Sequence, residues 1–346
     1  MIVDKKRLRT LHVDLGRQWR GGQSQALLLA GELQRMGHAA EMVALRDSPL
    51  AQRAKAAGIV VHEARGRIGA ARMLWRLRGF DIVHAHEAHA LTAAWLARAT
   101  FVVSRRLAYP ISKLRYRSAK RIVAISRFVK QSVLDCGFAD ERVEVVYDGV
   151  PVPEAPATGG EGTRIGCVGY LLPEKNQKLL IRSLPLVLAR HPGCRLILAG
   201  EGPARAGLER LAGQLGVAGS ADFAGHVEDV ASVYRSLDVF LFPSIAEPLG
   251  SSLLAAMSYG LPCVALARGA VPEVIENGVN GLMVGDSDPK AFAEAMNRLL
   301  DDQILRACLG AAARKAIEER FSVEHMARGT VEVYERVLAD CKSAAG

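Results

Sequence analysis

The amino-acid sequence predicts an α/β protein built from two doubly wound parallel sheets, and three observations predict it. Short apolar runs alternate with longer amphipathic stretches along most of the chain, the pattern of parallel sheets covered by helices. A length of 346 residues exceeds what one core commonly supports, which favours two domains. Near the middle, Pro151 to Gly162 reads PVPEAPATGGEG, rich in Pro and Gly and without an apolar period, as a linker does.

Taken in order, residues 8–13 read as the first strand, followed by a helix over 23–36 that Gly37 ends. Strands then fit 40–45, 59–62, 81–85, 100–104, 121–125 and 143–146, which completes a first domain over 1–150. After the linker, 151–162, a second series fits strands to 164–168, 195–199, 221–224, 239–242, 263–265 and 282–284. From Asp288 onward only helical periodicity remains. The two halves resemble each other in pattern only.

With 50% hydrophobic and 23% charged residues, the composition excludes disordered and fibrous classes. The six cysteines include no C-x-x-C pair, so they read as reduced thiols of a cytosolic protein. Met1 to Arg7 carries charge with no apolar segment behind it, which predicts no signal peptide. The longest apolar stretch, 88–103, is broken by Arg98 and is too short to span a bilayer.

Charge is unevenly divided. Residues 1–150 hold 26 Lys and Arg against 13 Asp and Glu, a net of +13, while the rest holds 19 against 23, a net of −4; together they give the +9 of the chain. The first domain is therefore expected to meet an anionic partner, with nucleic acid and anionic lipid both open on charge alone. Between Arg105 and Lys130 lie nine basic residues and no acidic one, among them Arg105, Arg106, Lys113, Arg115, Arg117 and Lys120. Ile111, Leu114 and Tyr116 are interleaved there, as in a short interfacial helix on an anionic membrane, whereas the stacking aromatics of a single-strand reader are missing. The plainer reading is a solvated basic face. Nucleic acid is not expected as a partner.

Several segments carry chemistry. Trp19-Arg-Gly21-Gly22-Gln-Ser-Gln follows the first strand and opens a helix, where free N–H groups suit a phosphate. Val168-Gly169-Tyr170-Leu-Leu-Pro-Glu-Lys175 repeats the arrangement with a cation at the helix start. Each also reads as an ordinary turn. His84, His86 and His89 gather near a strand's end; alternation sends the first two to one side, and no carboxylate or Cys completes a metal site. Phe242-Pro-Ser-Ile-Ala-Glu247-Pro-Leu249-Gly250-Ser251-Ser252 places a carboxylate between a buried strand and a helix N-terminus. Asp286-Ser-Asp288 has the D-x-D form of a metal site, but Asp288-Pro289 before a helix is ordinary capping.

In this order and spacing, these segments resemble the family 4 glycosyltransferases of GT-B fold, together with Gly37-His38, Val123-Ala-Ile-Ser126, Tyr147-Asp-Gly-Val150, Ala199-Gly-Glu-Gly-Pro203, Gly260-Leu-Pro262 and Pro272-Glu273. The resemblance covers nearly the whole chain. It implies two Rossmann-like domains facing a cleft, the second over 163–325, and a final helix over 326–346 that packs back on the first. It further implies retaining transfer of a sugar from a nucleotide-diphosphate donor, which is substrate rather than cofactor, with no metal. In it Lys175 neutralises the diphosphate, Glu247 holds sugar hydroxyls, and His86 reaches the sugar. Gly21, Gly22, Gly169 and the amides of Leu249, Gly250, Ser251 and Ser252 lie along the donor, and His226 with Val227 holds the base.

Two positions depart from the family. Tyr170 stands where an arginine is usual, and Ala255 stands eight residues after Glu247, where a second Glu binds the ribose. An acceptor on the basic domain, anionic or lipid-linked, such as a cell-envelope glycolipid like lipopolysaccharide, is expected, with peripheral contact to an anionic membrane. The alternative is a GT-B protein that binds but has lost transfer.

Overall fold

The structure, a computed structural model, describes residues 7–157 and 163–343; of the expected linker, residues 158–162 lie outside them. The chain divides into two compact units, one formed by Met1–Gly149 with Val323–Gly346 and the other by Val150–Ser322.

In the first unit the order is β1 (Arg9–Asp14), α1 (Gly21–Arg35), β2 (Ala39–Leu45), α2 (Pro49–Ala56), β3 (Val61–Ala64), α3 (Gly66–Arg76), β4 (Ile82–Ala85), α4 (Ala88–Leu96), β5 (Phe101–Arg105), α5 (Lys113–Tyr116), β6 (Arg121–Ala124), α6 (Arg127–Leu134) and β7 (Val143–Val145). All seven strands pair in parallel in the order β3-β2-β1-β4-β5-β6-β7. Strands covered on both faces are buried at every position, as β4 is, and its one polar residue, His84, must find partners inside.

The third strand begins two residues later than periodicity suggests. Gly58 takes φ 76, its amide bonds to the carbonyl of Lys55 at 3.0 Å, and the amide of Ile59 bonds to that of Ala54 at 3.0 Å. These are the two bonds of a Schellman cap, so the buried Ile59 closes α2 instead of opening β3.

The second unit runs β8 (Arg164–Val168), α7 (Gln177–Leu188), β9 (Arg195–Ala199), α8 (Arg205–Gln214), β10 (Ala221–Gly225), α9 (Val230–Ser236), β11 (Val239–Phe242), α10 (Ser251–Ser258), β12 (Cys263–Leu266), α11 (Val271–Val274), β13 (Leu282–Val284), α12 (Pro289–Asp301) and α13 (Gln303–Ala316). Its six-stranded sheet has the order β10-β9-β8-β11-β12-β13, the same winding as the first. The last helix, α14 (Val323–Ser343), starts earlier than the residue 326 expected and belongs to the first unit. Met326, Ala327, Val331, Tyr334 and Val337 form its buried stripe and join the core of α1, β2 and β4. Among the described residues no helix is long and apolar enough to cross a membrane.

Candidate active site

In each unit the polar side chains gather beyond the carboxyl ends of the strands, where open α/β sheets hold ligands. In the second unit, the loop after β8 makes a short 3-10 turn, Pro173–Lys175, that ends in Asn176 at φ 54. Asn176 Nδ2 donates to the carbonyl of Pro243 at 3.2 Å, and the Ile245 amide donates to the carbonyl of Glu174 at 3.0 Å. These bonds stitch the β8 loop to the β11 loop, and Lys175 Nζ consequently donates to Glu247 Oε2 at 2.5 Å. The Glu247 side chain is 9% exposed and that of Lys175 is 29% exposed.

Two glycines make this convergence possible. Gly269, at φ 59 in the loop after β12, would place a Cβ 2.2 Å from the Glu247 carbonyl, which instead accepts from the Ala270 amide at 2.9 Å. Gly250, at φ 102, starts α10 and brings no side chain to cap it, so the first amides of that helix stay open to an anion. Leu249 before it is buried, Ser251 is exposed and Ser252 half-buried. The Ala199-Gly-Glu-Gly-Pro203 motif has a structural cause: a Cβ on Gly200 would lie 2.0 Å from the carbonyl of Gly169, because the loops after β8 and β9 touch backbone to backbone.

In the loop after β8, Tyr170 is 58% exposed, and His226 with Val227 follows the end of β10, the histidine exposed. Ala255, one turn into α10, is half-buried, and its carbonyl accepts from Ser258 Oγ at 2.8 Å. Asp288 caps α12 through the amides of Lys290 and Ala291, while Asp286 pairs with Arg268 at 3.0 Å. The D-x-D carboxylates are thus committed to a helix cap and an ion pair.

In the first unit, the crevice lies where the strand order reverses, between β1 and β4. His12 and Asp14 come from β1, and His84 and His86 from the end of β4. His12 Nδ1 and His86 Nε2 are 2.9 Å apart, and the rings of His84 and His86 stack at 4.2 Å. Arg106 Nη1, which can only donate, lies 3.5 Å from His86 Nδ1. That assigns the His86 proton to Nε2, facing His12 Nδ1, and the His12 proton to Nε2, facing Thr10 Oγ1 at 3.2 Å. His84 is fully engaged too, with Tyr334 Oη at 2.7 Å and Ser104 Oγ at 2.8 Å. Burial lowers all three: His12 falls to about 3, and His84 and His86 fall well below 6.5, pushed further by neighbouring histidine and Arg106 charge. They form a neutral hydrogen-bonded stack rather than an open metal-ligand set, although their ring nitrogens lie within 4.8 Å of one another. His89 is exposed on α4 and takes no part.

Sequence reasoning missed much of this crevice. Asp14 accepts from Gln23 Nε2 at 3.0 Å and the Gly16 amide at 2.8 Å, and burial raises its carboxyl. Glu87 caps α4 through the amides of His89 and Ala90, both at 2.6 Å. Gly21 and Gly22 open α1 with no side-chain cap, so its N-terminus is free on this edge. A usable sign was present in β1, where the alternating His12 and Asp14 are polar residues in a buried strand.

The basic segment divides. Arg106 faces inward, its side chain 13% exposed and 3.2 Å from Asp148, and does not belong to a surface patch. Tyr116 is also buried, so it anchors α5 instead of facing outward. Arg105 is half-buried and bonds to the Tyr109 carbonyl at 2.6 Å. Lys113, Arg115, Arg117 and Lys120 are exposed, with Leu114 63% exposed among them.

Comparison with known proteins places this geometry. Residues 19–153 match the model of Glycosyltransferase Family 4, and residues 153–316 that of Glycosyl transferases group 1. The lipopolysaccharide core biosynthesis glycosyltransferase LpsE of Rhizobium meliloti is 31% identical over 261 residues, 71% of this chain and 74% of that one. An uncharacterized glycosyltransferase of Methanocaldococcus jannaschii is 31% identical over 233 residues; the match spans 62% of this chain and 60% of that relative's length. In fold, the chain is similar to Anabaena Alr3699/HepE, with a TM-score of 0.83 at 20% identity over 95% of this chain and 100% of the other. The chain belongs to the family 4 glycosyltransferases, on the GT-B fold.

Proposed function

We propose that this chain is a retaining, metal-independent glycosyltransferase that moves a sugar from a nucleotide-diphosphate donor to an anionic or lipid-linked acceptor of the cell envelope. The observation that carries the reading is the Lys175–Glu247 pair beside the uncapped start of α10. As the glycosidic bond breaks, negative charge collects on the departing diphosphate. Lys175 and the amides from Leu249 to Ser252 stabilise it there more than in the ground state, which is what lowers the barrier. Glu247 accepts from sugar hydroxyls and orients the ring, whereas His86, expected to reach the sugar, is buried with both ring nitrogens engaged by His12 and Arg106. Solved structures of the similar Anabaena protein hold UDP and UDP-glucose, which supports a nucleotide-sugar donor. Gly169, Tyr170, His226 and Val227 line the nucleotide end in this reading. No cofactor enters it.

With Lys175 and the helix amides meeting the leaving-group charge in this reading, transfer should continue in EDTA. Complete loss on chelation, restored by Mn²⁺ or Mg²⁺, would overturn the leaving-group chemistry.

The relative's lipopolysaccharide role and the +13 of residues 1–150 support a cell-envelope acceptor and peripheral contact with anionic lipid. The exposed Lys113, Arg115, Arg117 and Lys120 around Leu114 make that contact in this reading, each worth about 1 kcal/mol at an anionic surface. In co-sedimentation with anionic vesicles at low salt, changing all four to Ser should lower the bound fraction. Equal partitioning of variant and wild type would exclude this contact.

A second reading, a protein that binds the donor without transferring it, rests on Tyr170 and on Ala255 standing where the family has a carboxylate. Slow hydrolysis of a nucleotide sugar without acceptor separates the two: an enzyme turns over, and a binding protein does not.

A further inference from the structure

The loops that follow β1, β2 and β3 line an open pocket of about 340 Å³ at the carboxyl edge of the first sheet. Each loop contributes one arginine to its wall: Arg17, Arg46 and Arg65. These loops are held in place. The guanidinium of Arg53 on α2 sits 4.4 Å over the ring of Trp19, which ties the first loop to α2. The Arg46 amide donates to the Ala64 carbonyl at 3.0 Å, and the Asp47 amide to Glu63 Oε1 at 3.4 Å, which ties the second loop to β3.

Among the described residues, the three guanidinium groups make neither a hydrogen bond nor an ion pair. Glu63 pairs with Lys55, 3.0 Å away, which with the Asp47 amide holds its carboxyl below the usual range, the charge of Arg46 adding a smaller part. Asp47 is the one acidic residue in the lining, so three cations against one anion leave a net of +2. Some arginines of the unit find carboxylates, as Arg35 does with Glu32 and Arg106 with Asp148; what sets Arg17, Arg46 and Arg65 apart is that all three line one pocket. Three arginines lining one pocket offer planar forks of donors, which match a tetrahedral oxyanion. No aromatic residue lines the cavity to stack a base, and the positive wall repels a metal ion. A phosphate monoester carries about −1.5 to −2 at pH 7, which matches the lining charge.

We propose that this cavity binds a phosphate monoester on the acceptor. The assignment rests on the glycosyltransferase reading, in which the acceptor lies on this unit. It places the phosphate over β1 to β3, one strand from the β1/β4 crevice that holds His86.

The test uses the full-length protein labelled with ¹⁵N-arginine and titrated with glycerol 1-phosphate. The Nε–H resonances of Arg17, Arg46 and Arg65 should shift saturably, and dimethyl phosphate, a monoanion of the same shape, should bind at least tenfold more weakly. The double variant Arg46→Gln/Arg65→Gln should raise the dissociation constant at least tenfold, and Lys at both positions should restore part of the affinity. All three arginines are exposed, so the variants should fold as wild type does. Phosphatidylcholine vesicles with and without phosphatidic acid separate the sources: saturation by the soluble ester assigns a free phosphate compound, and arginine shifts only with phosphatidic acid assign a lipid headgroup. No saturable shift in either arm, or wild-type affinity in the double variant, overturns the proposal. UDP binding measured on the same proteins is independent, since it should weaken with Lys175→Ala and not with the arginine variants.

Discussion

Glu247→Ala and Lys175→Ala should each lower kcat/KM for the nucleotide sugar at least tenfold, about 1.4 kcal/mol of lost transition-state stabilisation. In the proposed mechanism Lys175 meets the charge that develops on the leaving diphosphate, and Glu247 holds the sugar in register with it. The two differ in what their loss leaves behind. Without Lys175, a carboxylate only 9% exposed loses its cation, whereas without Glu247 the 29% exposed ammonium can turn to water. Lys175→Ala should therefore melt at a lower temperature than Glu247→Ala, and Glu247→Gln should keep the fold while losing activity. Turnover at the wild-type rate in both alanine variants, measured as donor hydrolysis or transfer, would remove the two residues from the chemistry.

Acidification should unfold the first unit well before carboxylate chemistry alone would. His12 is held near 3, and His84 and His86 well below 6.5, so the native state refuses protons that the unfolded chain accepts. Stability present above pH 6.5 is then lost as pH falls below it, by about 2 kcal/mol for His12 at pH 5, with His84 and His86 acting in the same direction. Asp14, Asp148 and Glu87 oppose this, because burial raises their carboxyls and the native state takes up their protons first. The His12→Asn variant separates the two contributions, since it removes a histidine and leaves these carboxyls in place. All three tryptophans, Trp19, Trp75 and Trp95, lie in this unit, and their fluorescence reports its melting directly. A melting temperature that does not move between pH 7 and 5 would mean that the stack is protonated in the native state or hydrated. Replacing His12 with Asn should flatten the dependence.

The amino-acid sequence by itself determined the number of strands, the winding of two successive α/β units and the positions of Lys175 and Glu247. These depend on local rules: buried parallel strands demand apolar runs, helices end at glycines, and functional residues follow strand ends. Where local rules competed, the boundary moved, as at Ile59, an apolar residue that caps α2 and does not begin β3. Contacts between distant positions followed another cause. His12 meets His86 across 74 residues, His84 meets Tyr334 across 250, and Lys175 meets Glu247 across 72. The first and third depend on which strands become neighbours and the second on where α14 packs, and the crossover that puts β1 beside β4 leaves no trace in either strand. Arg106 looked like a surface cation within a basic run, and only packing against Asp148 turned it inward. Arg17, Arg46 and Arg65 are spaced too far apart to form a motif. The parallel order β3-β2-β1 sets three successive loops side by side, and that arrangement alone brings their charges to one cavity.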